Sequence, residues 1–320
     1  MKVIFMGTAD FSVRILKDLL KSRHEIVGVV CQPDKKGNRN KLIESEVSVY
    51  ANEKGLKLYK FEKISRDGVE DLKMLNADIM VTAAYGQMLS NEILSIAQYG
   101  VINVHGSLLP KYRGASPVQS AIKDGARETG VTIMQTVKNM DEGDILDYEK
   151  VTISKNMTAD ELFIKLTEIG APLLIKVLDN IEEGKKNPIK QNKIKYNSEN
   201  KTCCKSSYCS KIKRNDEQID WNKTAQQIHN QIRALSSNPA ARTSLNGKIF
   251  KIFCSEINNR IDNNIAGKVL EANKNGIIIG CGKGSIKVTE CCLEGGKRMS
   301  YRDFVNGKKI KSGDMLGGER

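Results

Sequence analysis

The sequence predicts an α/β chain in which a mostly parallel sheet, covered by helices, is followed by a small β-barrel. Three observations lead there. Over residues 1–150 short apolar runs alternate with segments of helical period, the pattern of strand–helix–strand units. After a polar stretch at 185–207 the pattern changes to closely spaced short strands with glycine turns, as in a small barrel. Charge changes at the same place: residues 1–200 hold 29 Lys and Arg against 27 Asp and Glu, whereas 201–320 hold 22 against 11. The expected division is therefore 1–187, a linker at 188–208, and 209–320.

Taken in order, KVIFMG (2–7) is a first strand ending at a glycine, and FSVRILKDLLKS (11–22) has helical spacing at Val13, Leu16 and Leu20. EIVGVVCQ (25–32) is a second strand, followed by the polar loop PDKKGNRNK. A helix over 44–54 and a short strand near 56–59 come next. ADIMVTAAYGQ (77–87) is a buried strand, as are 101–105 and GVTIMQTV (130–137). Thr158 and Glu161 form a capping box for one amphipathic segment over 158–183. Pro172 inside it predicts a kink or two helices. A helix over 222–235 opens the second part. KIFKIFCS, AGKVLEAN, GIIIGCG and GSIKVTECC then supply its strands.

Composition narrows the function classes. A chain of 320 residues with 40% hydrophobic and 28% charged residues can bury two ordinary soluble cores. No apolar run reaches the roughly 20 residues of a membrane helix, and MKVIFMGTADFS reads as a first strand rather than a leader. Eight scattered cysteines imply reduced thiols in a cytoplasm; Cys203, Cys204 and Cys209 lack the paired spacing of a zinc site. The net charge of +13, gathered in the last third, fits a polyanion such as nucleic acid before an anionic membrane surface. The turn after the first strand, GTADFS, is not the glycine fingerprint of a dinucleotide site, and no phosphate-binding P-loop motif occurs.

The stretch VINVHGSLLPKYRGASPV (101–118) concentrates the chemistry. Strand alternation puts Asn103 and His105 on one face and Ile102 and Val104 on the other. A polar pair at the end of a buried strand is costly unless satisfied internally or used, and the C-terminal edge of an open α/β sheet is where ligands bind. Further on, NMDEGDIL (139–146) follows a strand and returns the acidic Asp141 toward that edge.

Asn103, His105 and Asp141 together resemble the Asn-His-Asp set of the folate-dependent formyltransferases, and NVHGSLLPKYRGASPVQ is similar to the branch that acts on methionyl-tRNA. GTADFS, CQPDKKGNRNK, AAYGQML, IDW-x7-H-x3-RAL and KRMSYRDFVNGKKIKSGDMLG resemble the same branch, in its order, over essentially 1–318. The loop 33–41 is about a residue shorter than usual in that branch.

The resemblance implies a Rossmann-like sheet of the formyltransferase fold and an OB-like barrel. It implies transfer of a formyl group from 10-formyltetrahydrofolate to the α-amine of initiator methionyl-tRNA; a monomer that requires no metal is expected. Asn103 and His105 would supply donors to the formyl oxygen, each worth on the order of 3 kcal/mol. An imidazole suits proton transfer near neutrality, and Asp141 would orient it. Ser107, Leu108, Leu109 and Pro110 would meet the folate ring by the same analogy. Lys35, Lys36, Arg39 and Lys41, a basic run beside the sheet edge, would contact tRNA.

Overall fold

A computed structural model describes residues 1–36, 42–194, 206–258 and 265–317. In chain order the elements begin with β1 (Lys2–Gly7), α1 (Asp10–Leu19), β2 (Glu25–Cys31) and the short strands β3 (Lys35–Lys36) and β4 (Leu42–Ile43). Then come α2 (Glu46–Glu53), β5 (Leu58–Lys60), α3 (Ile64–Asp67), α4 (Val69–Lys73), β6 (Ile79–Ala83) and α5 (Asn91–Leu94). They are followed by β7 (Val101–His105), β8 (Arg113–Gly114), α6 (Pro117–Lys123), β9 (Glu128–Gln135), β10 (Ile145–Thr152), α7 (Ala159–Glu182) and β11 (Tyr208–Cys209). The last part holds α8 (Ala225–Leu235), β12 (Ala241–Leu245), β13 (Lys248–Asn258), β14 (Val269–Asn273), β15 (Gly276–Gly280), β16 (Ser285–Leu293), β17 (Met299–Ser300) and α9 (Tyr301–Asn306).

The chain packs as two compact units. The first comprises 1–114, 129–151 and 163–209; the second comprises 115–128, 152–162 and 210–320. The first unit is a seven-stranded sheet in the order β10-β9-β7-β6-β1-β2-β5. β1 lies parallel to β2 and to β6, and β6 lies parallel to β7. β9 runs antiparallel to β7, with Thr132 opposite His105. Strand order reverses between β1 and β6, so their C-terminal ends open a crevice, the usual ligand position in such sheets. β1 and β6 are buried almost throughout, which explains their unbroken apolar runs.

Two expectations are refined and one is met. α7 is one helix from Ala159 to Glu182 with Pro172 inside it. Leu162, Leu166, Leu173, Val177 and Ile181 are all buried, and this stripe carries the helix past the proline. The predicted capping box is formed: Glu161 accepts from the Thr158 backbone at 2.8 Å. Polar composition marks 188–208 as a linker, yet its described parts are laid against the first unit. Ile189 exchanges backbone hydrogen bonds with Ile145, and β11 pairs with β8.

The second unit is an antiparallel sheet in the order β12-β13-β16-β15-β14, with β17 on β16. Its two edges, β12 and β14, are both taken by the stretch 313–317. Leu316 bridges to Leu245, and Val269 donates to the Asp314 carbonyl, which closes the sheet into a barrel. Trp221, Phe250, Phe304, Ile252, Ile277, Ile279 and Ile286 are among the residues that fill it. α6 belongs to this unit because α8 holds it there. The buried Arg233 donates to the carbonyls of Ile122 and Met157, and Asn230 Nδ2 donates to that of Lys123.

Candidate active site

β7 delivers Asn103 and His105 to the sheet's C-terminal edge as the alternation requires. Thr82, one strand over on β6 and opposite Asn103 in register, donates its hydroxyl to Asn103 Oδ1 at 2.8 Å. The carbonyl end of the amide is thereby occupied, and the Nδ2 hydrogens remain for a ligand.

His105 is buried, and its Nε2 lies 2.9 Å from the Tyr112 carbonyl oxygen. A carbonyl only accepts, so Nε2 carries the hydrogen and Nδ1 is the nitrogen able to take up a proton. That nitrogen lies 3.7 Å from Asp141 Oδ2, close enough for strong attraction but too long for a direct hydrogen bond. Asp141 Oδ2 itself accepts from the Gly114 backbone N–H at 2.7 Å.

Two loops therefore meet at this pair. In the first, 106–114, Tyr112 has φ 58° and Gly114 has φ 109°. A side chain at 114 would be strained, and its Cβ would lie 2.3 Å from the Cys209 carbonyl oxygen, so the position requires glycine. In the second, 139–144, Asp141 has φ 54°, which Asp and Asn tolerate best among residues with side chains. Such conformations persist only where their surroundings enforce them.

The surroundings here include residues that sequence reasoning missed. Arg113 donates to Glu142, to the Tyr208 hydroxyl and twice to Gln191. Gln191 donates in turn to the carbonyls of Asp141 and Gly143. The Tyr208 hydroxyl, then Asn139 and Arg113, hold the Glu142 carboxyl below the usual carboxylate range. Ser207 accepts from the Tyr112 backbone and bonds through its own to Pro110 and Arg113. Arg113 stands in the motif already singled out, but Gln191 and Tyr208 sit in polar stretches with no period or spacing to mark them.

Ser107, Leu108, Leu109 and Pro110 follow β7 after Gly106 and are all buried. Thr132 on β9 donates to the Ser107 carbonyl and accepts from Leu109 N–H, while the Ser107 hydroxyl donates to Lys111 O. Leu108 and Leu109 pack with Met134, Ile145 and Ile194. This stretch thus has a set shape, with much of its polar backbone already engaged.

Lys35 is exposed at the start of a two-stranded ribbon in which β3 pairs antiparallel with β4, and Lys36 is the second residue of β3. Arg39 and Lys41 lie outside the described residues, as do Cys203 and Cys204. Cys209 is buried, its thiol 3.2 Å from the Arg113 carbonyl oxygen. Among the described residues the one cluster with metal-like spacing is His24, Asp179 and Glu182. Arg23 already pairs with both carboxylates, at 2.6 and 2.9 Å. No helix among the described residues is long and apolar enough to cross a membrane.

A folded strand edge that presents an amide, an imidazole and a carboxylate defines a class, and comparison with known proteins identifies it. The family model described as formyl transferase matches residues 1–178, and the one described as formyl transferase, C-terminal domain, matches 211–309. Methionyl-tRNA formyltransferase of Lachnospira eligens is 39% identical over 324 residues, covering 99% of this chain and 100% of that one. The enzyme of the same name from Bacillus cereus is 40% identical over 319 residues, covering 99% and 98%. The chain belongs to the methionyl-tRNA formyltransferase family.

Solved structures agree on the fold. An N-formyltransferase from Helicobacter canadensis, in complex with folinic acid and dTDP-3-aminofucose, has a TM-score of 0.66 at 24% identity, covering 90% of this chain and 98% of that one. HypX from Aquifex aeolicus, in complex with tetrahydrofolic acid, has a TM-score of 0.66 at 17% identity; the match covers all of this chain and 51% of that one.

Proposed function

We propose that this chain formylates the α-amine of methionine on initiator methionyl-tRNA, with 10-formyltetrahydrofolate as donor, through Asn103, His105 and Asp141. The observation that carries the reading is the geometry of His105. Its Nε2 is committed to the Tyr112 carbonyl, and its Nδ1 faces the Asp141 carboxylate at 3.7 Å. An imidazole so held has one nitrogen for proton transfer, with an anion beside it to stabilise the charge it acquires.

The chemistry follows from that. Amine attack on the formyl carbon places negative charge on the formyl oxygen, and the Nδ2 hydrogens of Asn103 are donors for it. Thr82 fixes the amide so that these hydrogens are not spent internally. The attacking nitrogen must lose a proton and N10 of the folate must gain one. His105 Nδ1 takes the first and returns it to the second, either directly or through a water held by Asp141. Ser107, Leu108, Leu109 and Pro110, whose course the Thr132 hydrogen bonds secure, meet the pterin as it enters the crevice.

The segment 209–320 grips the tRNA. It holds most of the chain's net positive charge, and Lys248, Lys283, Lys297, Arg302, Lys308, Lys309 and Lys311 are exposed on it. Lys35, Lys36, Arg39 and Lys41 add a contact beside the catalytic unit. Segment 1–187 carries the chemistry, 188–208 joins the two, and the protein works as a monomer in the cytoplasm.

Formylation of charged initiator and elongator methionine tRNAs, with 10-formyltetrahydrofolate as donor, tests this reading. A strong preference for charged initiator tRNA is expected, with activity falling steeply as salt rises because phosphate contacts release counterions. Equal turnover of an amino-sugar nucleotide, with no salt dependence, would assign the site to a small amine instead.

A further inference from the structure

The structure assigns Gln191 a role in the reaction: we propose that it is a positioning residue that holds Asp141 against His105. The inference deepens the reading above and rests on it. Gln191 is only 5% exposed, although it belongs to a three-residue 3-10 turn, Gln191–Lys193, in a stretch whose composition marks it as a linker.

Every hydrogen-bonding position of its amide is used. Nε2 donates to Asp141 O at 2.7 Å and to Gly143 O at 2.8 Å. Oε1 accepts from Arg113 Nε at 3.0 Å and from the same guanidinium's terminal nitrogen at 2.6 Å. Two donors and two lone pairs exhaust a primary amide. A side chain that only fastened a connecting segment to a surface would not need its bonds shared between two loops.

The two loops are those that carry the reacting pair. The carbonyls that Gln191 holds belong to the peptide units immediately after Asp141 and Gly143. Holding the Asp141 carbonyl fixes the peptide plane that follows Asp141, the ψ side of a residue whose φ is already confined to 54°. Gly143 is confined on its other side, since a Cβ there would meet the Gln135 carbonyl oxygen at 1.7 Å. The guanidinium that Gln191 accepts from is one residue before Gly114, whose N–H is the partner of the Asp141 carboxylate. Gln191 thus ties the acceptor loop and the donor loop of that bond into one frame. Arg113 completes the frame through Glu142, the neighbour of Asp141, at 3.0 Å.

Gln191→Glu separates this role from simple attachment. A carboxylate keeps, and strengthens, the Arg113 contact, but it puts an acceptor oxygen in place of Nε2 against the Asp141 and Gly143 carbonyls, which lose their donor. The expected result is a loss of roughly 10–100-fold in kcat from displacement of Asp141, with KM for 10-formyltetrahydrofolate little changed and a lowered thermal midpoint that still lies above the assay temperature. In an Asp141→Asn background the same substitution should cost less than about twofold, because two residues acting through one contact are not additive.

Backbone amide exchange supplies a readout independent of activity: Gln191→Glu should raise exchange over 139–144 and leave 145–152 unchanged. Should the Glu variant not fold, Gln191→Met carries the same cycle. Undiminished kcat, an equal loss in the Asp141→Asn background, or unchanged exchange over 139–144 would overturn the proposal. A wild-type protein that fails to formylate methionyl-tRNA would overturn the functional reading instead, and the exchange measurement would still decide the role of Gln191.

Discussion

Replacing Asp141 by Asn removes one charge from the site and almost nothing else. Asn is among the few side chains that adopt φ near the 54° found at this position, so the loop should keep its course. Its amide oxygen can still accept the Gly114 N–H that the carboxylate accepts at 2.7 Å. What goes is the attraction between the carboxylate and the imidazolium that His105 becomes when Nδ1 takes the proton. At the observed 3.7 Å and an effective dielectric constant of about 20, two unit charges attract by roughly 4 kcal/mol. Both side chains are largely shielded, 6% and 14% exposed, so salt screens little of this. At about 1.4 kcal/mol per tenfold, and allowing for partial relaxation, kcat should fall by ~10²–10³. Single-turnover formylation of charged initiator tRNA, beside a thermal melt, measures it. Asp141→Ala should fall at least as far and also melt earlier, because it loses the acceptor and strains the loop by about 1 kcal/mol. An Asn variant within threefold of wild-type kcat, at unchanged thermal midpoint, would refute the charge argument.

Two further outcomes are expected. Replacing Lys36, Arg39 and Lys41 together by Ala should lower kcat/KM for tRNA about tenfold and leave folate binding, followed by fluorescence titration, unchanged; equal loss of both would make the loop a support of the sheet. His229 is buried between Ser255 and the Lys155 carbonyl, and burial holds its pKa below the ordinary value of about 6.5, against the opposing pull of that carbonyl. The unfolded chain therefore binds the extra proton first, so stability should fall as pH drops through about 6.5, and His229→Gln should flatten that part of the melting-temperature profile. His24, also lowered by burial, supplies a second part of the same slope.

The architecture was legible in one dimension, and so was the placement of Asn103, His105 and Asp141 at the sheet's C-terminal edge. Short apolar runs without alternation, bounded by turn residues, suit strands buried on both faces, and β1, β6 and β7 are such strands. Period two along β7 was enough to put Asn103 and His105 on one face, and an acidic turn after the next strand was enough to bring Asp141 back to them. Those signals are local, and local signals survive in one dimension. The helix over 222–235 and the capping box at Thr158 were legible for the same reason.

Tertiary structure alone decided what holds the trio in place. Gln191 is 50 residues from Asp141 and 78 from Arg113, and its role exists only because folding brings two loops to either end of one amide. The pairing of Tyr208 and Cys209 with Arg113 and Gly114 is likewise invisible in a polar stretch that composition marks as a linker. The compact units also cut across chain order. α6 is written into the first half of the sequence, but the carbonyls of Ile122 and Lys123 are satisfied by Arg233 and Asn230, so it packs with the barrel. Hydrogen bonds between groups distant in sequence leave no period behind, because each partner has only to be polar and to arrive at the right place.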